Sequence, residues 1–405
     1  MYIETIELKN FRNYDTLSLS LDAGTNILYG NNAQGKTNIL EAAYLCGTTK
    51  SHRGSRDKDM IRFGEEEAHI RMVVRRQDVP YRIDMHLKKS RAKGIAVNEV
   101  PIKKASDLFG IVNFVCFSPE DLGMVKNGPA ERRHFLNLEM CQINRLYMDD
   151  LAKYTRILEQ RNRVLKDMQF RSDYQDMLDI WDEQLIFFGS RIIAEREKFL
   201  AYLGGIVKKI HASLTDQGEQ IELTYEPDTT GEEFLEALKA ARDKDTHIKT
   251  TTVGPHRDDF AIRVNGIDIR KFGSQGQQRT AALSIKLSEI EILKQKTKDT
   301  PILLLDDVLS ELDSNRQNYL LKSISHIQTL ITCTGLDDFI EHHFPIHQVY
   351  EVVSGRVTER KQEEEHEQRI WSRSNPDSGG TGSGTQKTGY VYRQYLVKGP
   401  SPSGI

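Results

Sequence analysis

The chain has 405 residues, 38% hydrophobic and 28% charged, with 56 basic against 59 acidic side chains and a net charge of −3. That length supports one large or two modest domains, no apolar run approaches the ~20 residues of a membrane span, and nucleic-acid affinity would have to come from a local basic patch. Cys46, Cys116, Cys141 and Cys333 are scattered with no C-x-x-C pair, which argues against a zinc ribbon or disulfide scaffold and fits a reducing compartment.

In chain order, MYIETIELKN lacks a charged-then-apolar leader, so a cytoplasmic protein is expected. Ile6 and Leu8, then Leu17, Leu19 and Leu21, alternate with polar residues as two half-buried strands do. The run Asn26 to Tyr29 meets a glycine-rich loop, and Thr37 to Cys46 reads as a helix. Tyr81, Ile83, Met85 and Leu87 form another alternating strand, AVNEVPI suggests a hairpin around Asn98, and Val112–Phe117 is a nearly continuous apolar run. From Pro129 to about His211 the period becomes helical. Leu151, Leu158 and Leu165 mark one amphipathic helix, and Trp181, Leu185, Phe188, Ile192 and Phe199 a second folded back on it. Strand patterns return at Ile221–Tyr225, Phe260–Ile269, Ile302–Leu305 and Thr329–Thr334. Beyond about Lys361 the polar, Gly- and Ser-rich sequence predicts a disordered tail over 361–405.

Gly30-Asn31-Asn32-Ala33-Gln34-Gly35-Lys36-Thr37 satisfies G-x-x-x-x-G-K-[ST] between an apolar strand and a helix. Such a loop turns backbone N–H groups onto a phosphate at the positive end of a helix. Lys36 would reach the β- and γ-phosphates and Thr37 would take a Mg²⁺ position, so the chain is expected to bind a nucleoside triphosphate. Asp306 and Asp307 end the buried strand ILLLDD, where the first carboxylate helps hold Mg²⁺ in P-loop enzymes and the second can orient water. About 270 residues separate Lys36 from Asp306, which demands a sizeable insertion. Ser274-Gln275-Gly276-Gln277-Gln278-Arg279 opens a long amphipathic helix and offers a second anion-binding turn.

The order GNNAQGKT, SQGQQR, ILLLDD and Ser310-Glu311-Leu312-Asp313 resembles the ATP-binding-cassette superfamily. The further stretches LKNFRNY, FSPEDL, Pro129-x-x-Arg132-Arg133-x-Phe135-Leu136 and Gly254-Pro255-His256-Arg257-Asp258-Asp259 resemble the RecF family, relatives of the SMC ATPases. The resemblance covers residues 1 to about 360. It implies an α/β fold: an ABC-type P-loop ATPase lobe from 1–128 and 251–360, with a mainly helical lobe inserted over 129–250. It also implies two ATP molecules sandwiched in a head-to-tail homodimer, with Gly30 to Thr37 and Asp306 on one subunit and Ser274, Gly276 and Gln278 on the other. Lys36, Asp306 and Asp307 are then the catalytic set, with Thr37 and Asp306 holding Mg²⁺. Asp307 stands where many cassette ATPases have a glutamate one methylene longer, which suits a slow, switch-like ATPase. Asp313 matches the loop that crosses the dimer interface. The cassette histidine expected after the next strand is absent, with Thr332 or Thr334 at that place.

Other residues keep two readings. Gln34, Glu120 and Asp121 contact Mg²⁺ or water, or Glu120-Asp121 caps a helix. Arg12 touches the nucleotide or is solvated. Arg132 and Arg133 meet DNA or pair with carboxylates at the lobe junction, and His256 with Asp258 and Asp259 reads as a structural group rather than a metal site. Residues 82–104 carry Arg82, Lys88, Lys89, Arg91, Lys93, Lys103 and Lys104 against Asp84 and Glu99, and Lys50, Arg53, Arg56 and Lys58 form a second basic loop. With the family resemblance, both become candidates for sequence-independent contact with DNA phosphates.

The resemblance implies an ATP-dependent clamp on gapped or single-stranded/double-stranded junction DNA. It would support recombinase loading in repair, replication restart and the SOS response, with RecR and RecO as partners. The alternatives are a cytosolic ATPase subunit of an ABC transporter, which would need a membrane partner, and a nucleotide-gated scaffold without important turnover.

Overall fold

A computed structural model describes residues 1–360 except 105–106, 168–173 and 337–343; the predicted tail at 361–405 lies outside the described residues. The central element is a six-stranded sheet. Its strands are β3 (Thr25–Tyr29), β8 (Phe114–Phe117), β12 (Ile302–Asp306), β13 (Thr329–Cys333), β14 (Gln348–Val353) and β15 (Arg356–Arg360), in the order β15-β14-β3-β13-β12-β8. All neighbours are parallel except the β14–β15 hairpin at one edge. Parallel strands covered on both faces must be apolar throughout, and β8, β12 and β13 are buried at every position.

The period of two sorts those side chains between two cores. Leu28, Leu304 and Leu330 face helix α1 (Lys36–Thr48) and a second, antiparallel sheet. Ile27, Leu303, Leu305 and Ile331 face helices α9 (Gln275–Thr297) and α10 (Ser314–Ile324). The antiparallel sheet has the order β2-β1-β4-β5-β6-β7, from β1 (Tyr2–Phe11), β2 (Tyr14–Ser20), β4 (Glu67–Arg76), β5 (Val79–Lys88), β6 (Gly94–Val97) and β7 (Val100–Pro101). The Asn98 hairpin forms as expected: Asn98 and Glu99 take φ of 49° and 68°, the left-handed pair a two-residue hairpin requires.

The inserted lobe begins with α2 (Leu122–Lys126), α3 (Pro129–Ile143), α4 (Arg145–Asp167) and α5 (Tyr174–Leu214). The pairs Asn144–Glu195, Asp150–Arg191 and Arg161–Asp182 run in opposite sequence directions, so α4 and α5 are antiparallel. At 41 residues, α5 is about 60 Å long at 1.5 Å per residue. Its middle packs in the helical core through Ile192, Leu200 and Leu203, and its end, Ile210 and Leu214, packs into the ATPase core. Helices α6 (Phe234–Ala240) and α7 (Arg242–Ile248) follow β9 (Ile221–Glu226). That strand pairs with β10 (Asp259–Val264), which pairs with β11 (Ile267–Asp268), so the small sheet draws on residues either side of position 250. A short turn of helix, α8 (Ile269–Phe272), leads into α9. Helix α9 belongs to both cores, giving Ala281, Ala282, Ile285 and Ile292 to the helical lobe and Leu283, Leu287, Ile290 and Leu293 to the parallel sheet.

Candidate nucleotide site

The phosphate loop lies where β3 hands over to α1, with Gly30 at φ 147°, Ala33 at 63° and Gly35 at 113°. Gly30 has no room for a side chain, since a Cβ there would lie 2.4 Å from the Val352 carbonyl oxygen. The loop is clamped from outside its own segment. Asn13 Nδ2 donates to the Gln34 carbonyl at 3.0 Å and the Tyr14 hydroxyl to the Gly35 carbonyl at 3.0 Å. The Gln34 side chain accepts from the Ser354 amide at 2.6 Å. Gln34 is therefore anchored to the β14–β15 turn. Asn31, Asn32 and Ala33 are exposed at the rim. Lys36 Nζ arches over the loop to the carbonyls of Gly30 at 2.5 Å and Asn31 at 2.9 Å, using two of its three donors. Burial lowers the Lys36 pKa, opposed by Asp307, Cys333 and Asp306.

The acidic strand end meets the loop directly. Thr37 Oγ1 donates to Asp306 Oδ1 at 2.7 Å across 269 positions of sequence. Thr332 Oγ1, at the end of β13, donates to the same oxygen at 2.7 Å and accepts the Asp307 amide N–H at 3.0 Å. Asp307 sits at φ 54°, so the chain turns sharply there. Burial pushes Asp306 up, but His52 and the Thr37 and Thr332 hydroxyls together hold it below the usual carboxylate range. His52 Nε2 stands 3.9 Å from Asp306 Oδ2, beyond hydrogen-bond reach, so the two hydroxyls carry the bonding and His52 contributes as a close, buried neighbour. Burial raises Asp307; Asp306 and Glu311 add to this and Lys36 opposes it. Neighbouring carboxylates with pKa values pushed apart divide roles: the ionised one holds a cation, the other takes a proton.

Ser274 caps α9 in a capping box: its hydroxyl accepts the Gln277 amide at 3.1 Å, and Gln277 Oε1 accepts the Ser274 amide at 3.0 Å. Ser274, Gln275 and Gly276 are exposed. Gln278 is turned inward, buried, donating to the Ile269 carbonyl at 2.8 Å. The exposed part of this turn is thus Ser274 to Gly276, with Gln278 fastening it from behind.

Several open readings resolve in the geometry. Arg12 forms a bidentate pair with buried Glu41, both contacts at 2.7 Å, and also bonds Ser55 and the Asp59 carbonyl, so it braces α1. Asp121 accepts the Ser118 amide at 2.7 Å in a capping box and stands 3.9 Å from Lys286 on α9, while Glu120 is exposed. Arg132 is a buried fork on Asp259 at 2.6 and 2.9 Å, and Arg133 donates to the Asp258 carbonyl, so both serve the junction. Asp258 is fully buried and receives Arg196, the Tyr225 hydroxyl and the Asp228 amide. His256 bonds the Tyr154 hydroxyl at 2.7 Å and the Thr251 carbonyl at 3.1 Å, a structural role.

In the basic stretch, Arg82 pairs with Asp84 and Glu99, Lys88 with Glu67, Lys89 with Glu66 and Lys93 with Asp57. Arg91, Lys103 and Lys104, like Lys50, Arg53 and Lys58 of the second loop, are exposed without a carboxylate partner among the described residues. Glu67, between His69 and His86, resembles a metal site in outline, but Lys88 already supplies its cation at 2.8 Å. Sequence reasoning passed over Asn13, Tyr14, Ser354 and His52. The first two lie in the LKNFRNY stretch, whose tight turn before a strand was the available signal.

The family model for the RecF/RecN/SMC N terminal domain matches residues 2–356. Fold, phosphate loop and matched family together define an SMC-like ATP-binding ATPase domain. An Smc head domain from Pyrococcus furiosus bound to the C-terminal domain of ScpA has a TM-score of 0.54 at 17% identity, a likeness of fold alone. The "DNA replication and repair protein RecF" of Agathobacter rectalis is 58% identical over 357 residues, covering 88% of this chain and 99% of its own. That of Clostridium acetobutylicum is 46% identical over 364 residues, covering 89% and 100%. Two solved structures of the recombination mediator protein RecF in the RecFOR pathway, with ATP and with ATPrS, are each 36% identical. Each covers 89% of this chain and 98% of its own, with TM-scores of 0.84 and 0.82. The chain belongs to the RecF family. Among the described residues no helix is long and apolar enough to cross a membrane.

Proposed function

We propose that this protein is an ATP-switched recombination mediator that dimerises on ATP, holds gapped or junction DNA, and supports recombinase loading in repair, replication restart and the SOS response. The observation that carries the reading is the division of the site. The loop, Lys36, Thr37 and Asp306 are assembled within one chain, whereas the capped turn of Ser274 and Gly276 is exposed and ready for a phosphate brought by a second copy. RecR and RecO as partners follow from the pathway named for the ATP-bound relative. We take 1–128 and 251–360 as the two parts of one ATPase lobe and 129–250 as the inserted lobe, with the 250 boundary passing through the small sheet of β9, β10 and β11.

Within the protomer, loop amides and Lys36 bind and orient the triphosphate. Thr37 and Asp306 present hard oxygen donors side by side and fit Mg²⁺, which would neutralise charge between the outer phosphates. Asp307, whose pKa burial raises, would accept a proton from the attacking water. Its shorter reach than glutamate supports slow turnover, so hydrolysis acts as a release step. Within the two basic stretches, Arg91, Lys103, Lys104, Lys50, Arg53 and Lys58 are exposed without a carboxylate partner among the described residues and suit DNA phosphates.

Sedimentation with and without ATP-Mg²⁺ and gapped DNA, beside Lys36→Ala, tests this. Wild type should pass from monomer to a dimer that binds DNA with steep salt dependence, and the variant should do neither. ATP binding with no dimer and no DNA complex would remove the clamp reading.

A further inference from the structure

The exposed serine turn is tied to the tip of α5 by a run of close polar contacts. Gln277 accepts the Ser274 amide through Oε1, so its NH₂ must face the other way, and it donates to Glu219 Oε1 at 2.8 Å. Glu219 Oε2 faces His211 Nε2 at 3.3 Å. His211, fully buried in the last turn of α5, places Nδ1 3.0 Å from Ser284 Oγ, back in the middle of α9. Ser284 Oγ gives its one proton to the Thr280 carbonyl at 2.7 Å, so it accepts from His211 Nδ1–H, while Nε2 meets Glu219 as a close polar contact outside hydrogen-bond alignment. Both ends therefore lie on α9, and the middle is the tip of α5 and the loop leading to β9. Arg316 of α10, bonded to Asp313 of the other interface loop, is close enough to act on the same imidazole.

We propose that His211 and Glu219 are positioning residues that hold the Ser274 turn in its phosphate-binding geometry and pass displacement of α5 to it. The proposal rests on the reading of Ser274 as the phosphate contact between copies. A helix about 60 Å long is a stiff lever. Its end is packed in the ATPase core while its length lies in the helical lobe, so a ligand that tilts the lobe must move the His211–Glu219 pair or break it. Breaking it frees Gln277, and with it one side of the capping box.

Glu219 is partly exposed, so Glu219→Ala should fold. The test compares wild type, Glu219→Ala, Glu219→Gln, Gln277→Ala and the double alanine variant in two measurements. In the ATP-free monomer, hydrogen exchange should speed up at the amides of 275–278 in Glu219→Ala but not at those of 33–38. In sedimentation with ATP-Mg²⁺, Glu219→Ala should raise the protein concentration for half-dimerisation roughly tenfold, as loss of one charge-assisted hydrogen bond predicts. ATP affinity of the monomer should stay within about twofold, because the phosphate loop is untouched. Glu219→Gln, which keeps an acceptor for Gln277, should recover most of the loss, and the double variant should be no worse than either single. Unchanged exchange at 275–278, or an additive double variant, overturns the proposal. Absence of a wild-type dimer overturns the sandwich reading instead and leaves the exchange result to decide on the link.

Discussion

Thr332→Val is the sharpest test of how the acidic pair is held. Valine keeps the shape of threonine but has no hydroxyl. Two contacts vanish together: the donation to Asp306 at 2.7 Å and the acceptance of the Asp307 amide at 3.0 Å. A hydrogen bond to a charged group contributes about 1.5–3 kcal/mol. The Asp307 amide retains only the Thr332 carbonyl at 3.3 Å. We expect a destabilisation of about 2 kcal/mol, read as a lower urea midpoint at neutral pH. The pH dependence identifies the cause. Asp306 has a folded pKa below its unfolded value, so its contribution is present above the unfolded pKa and lost as pH falls through the folded one. Removing a donor moves the folded pKa upward, so the gap between the two proteins should be widest at pH 7 and narrow in acid, where the carboxyl is protonated in both and the lost Asp307 amide contact remains as the difference. ATP turnover should fall more than tenfold, and Thr332→Ser should restore stability and turnover. A variant as stable as wild type at pH 7, or one whose deficit is the same at every pH, would refute the assignment of Thr332 as the bridge.

Gly30→Ala should cost at least about 2 kcal/mol, because it meets the Val352 carbonyl and forces a side chain to φ 147°; the variant should also lose the thermal shift that ATP gives wild type. Arg161→Ala leaves Asp245 and Asp182 buried without their 2.6 Å partner, although Arg242 still reaches Asp182 at 2.6 Å. A loss of about 3–5 kcal/mol follows, and hydrogen exchange should rise in α4 and α5 while the central parallel sheet keeps its protection.

How far the fold was legible depended on where each constraint lies in sequence. The phosphate loop and the ILLLDD strand were readable because their chemistry is local. A backbone cradle needs its glycines in one short run, and a strand buried on both faces must be apolar without interruption. The Asn98 hairpin was readable for the same reason. Long-range partners left no such trace. Asn13, Tyr14 and Ser354 hold the loop from other elements; the tight turn in LKNFRNY hints at the first two, and nothing local marks Ser354. Composition likewise counts charges without their partners. The stretch 82–104 is basic in sequence, yet Arg82, Lys88, Lys89 and Lys93 are already paired, which leaves a smaller free patch. The Gly204-Gly205 step lies within α5, where Leu203 and Val207 are both fully buried. Packing there outweighs the poor helix propensity of glycine.

The sheet order explains why Thr332, near the end of β13, does not behave as a free sensor. Strand β13 lies between β3, which feeds the phosphate loop, and β12, which ends in the acids. The side chain closing β13 therefore faces both neighbours at once, and whatever stands there must satisfy an ionised carboxylate on one side and a backbone amide at a left-handed turn on the other. A hydroxyl has one donor and two acceptor positions and meets both demands. Thr332 is spent in doing so, while Thr334, two residues on, is exposed. The two acids are thereby locked to the phosphate loop through Thr37 and Thr332 before any nucleotide arrives. In the proposed sandwich, ATP would recruit the remaining half of the site, the capped turn at Ser274 of a second copy. Under that proposal the slow, regulated event would be the approach of a second copy, which suits a switch better than a continuously cycling motor.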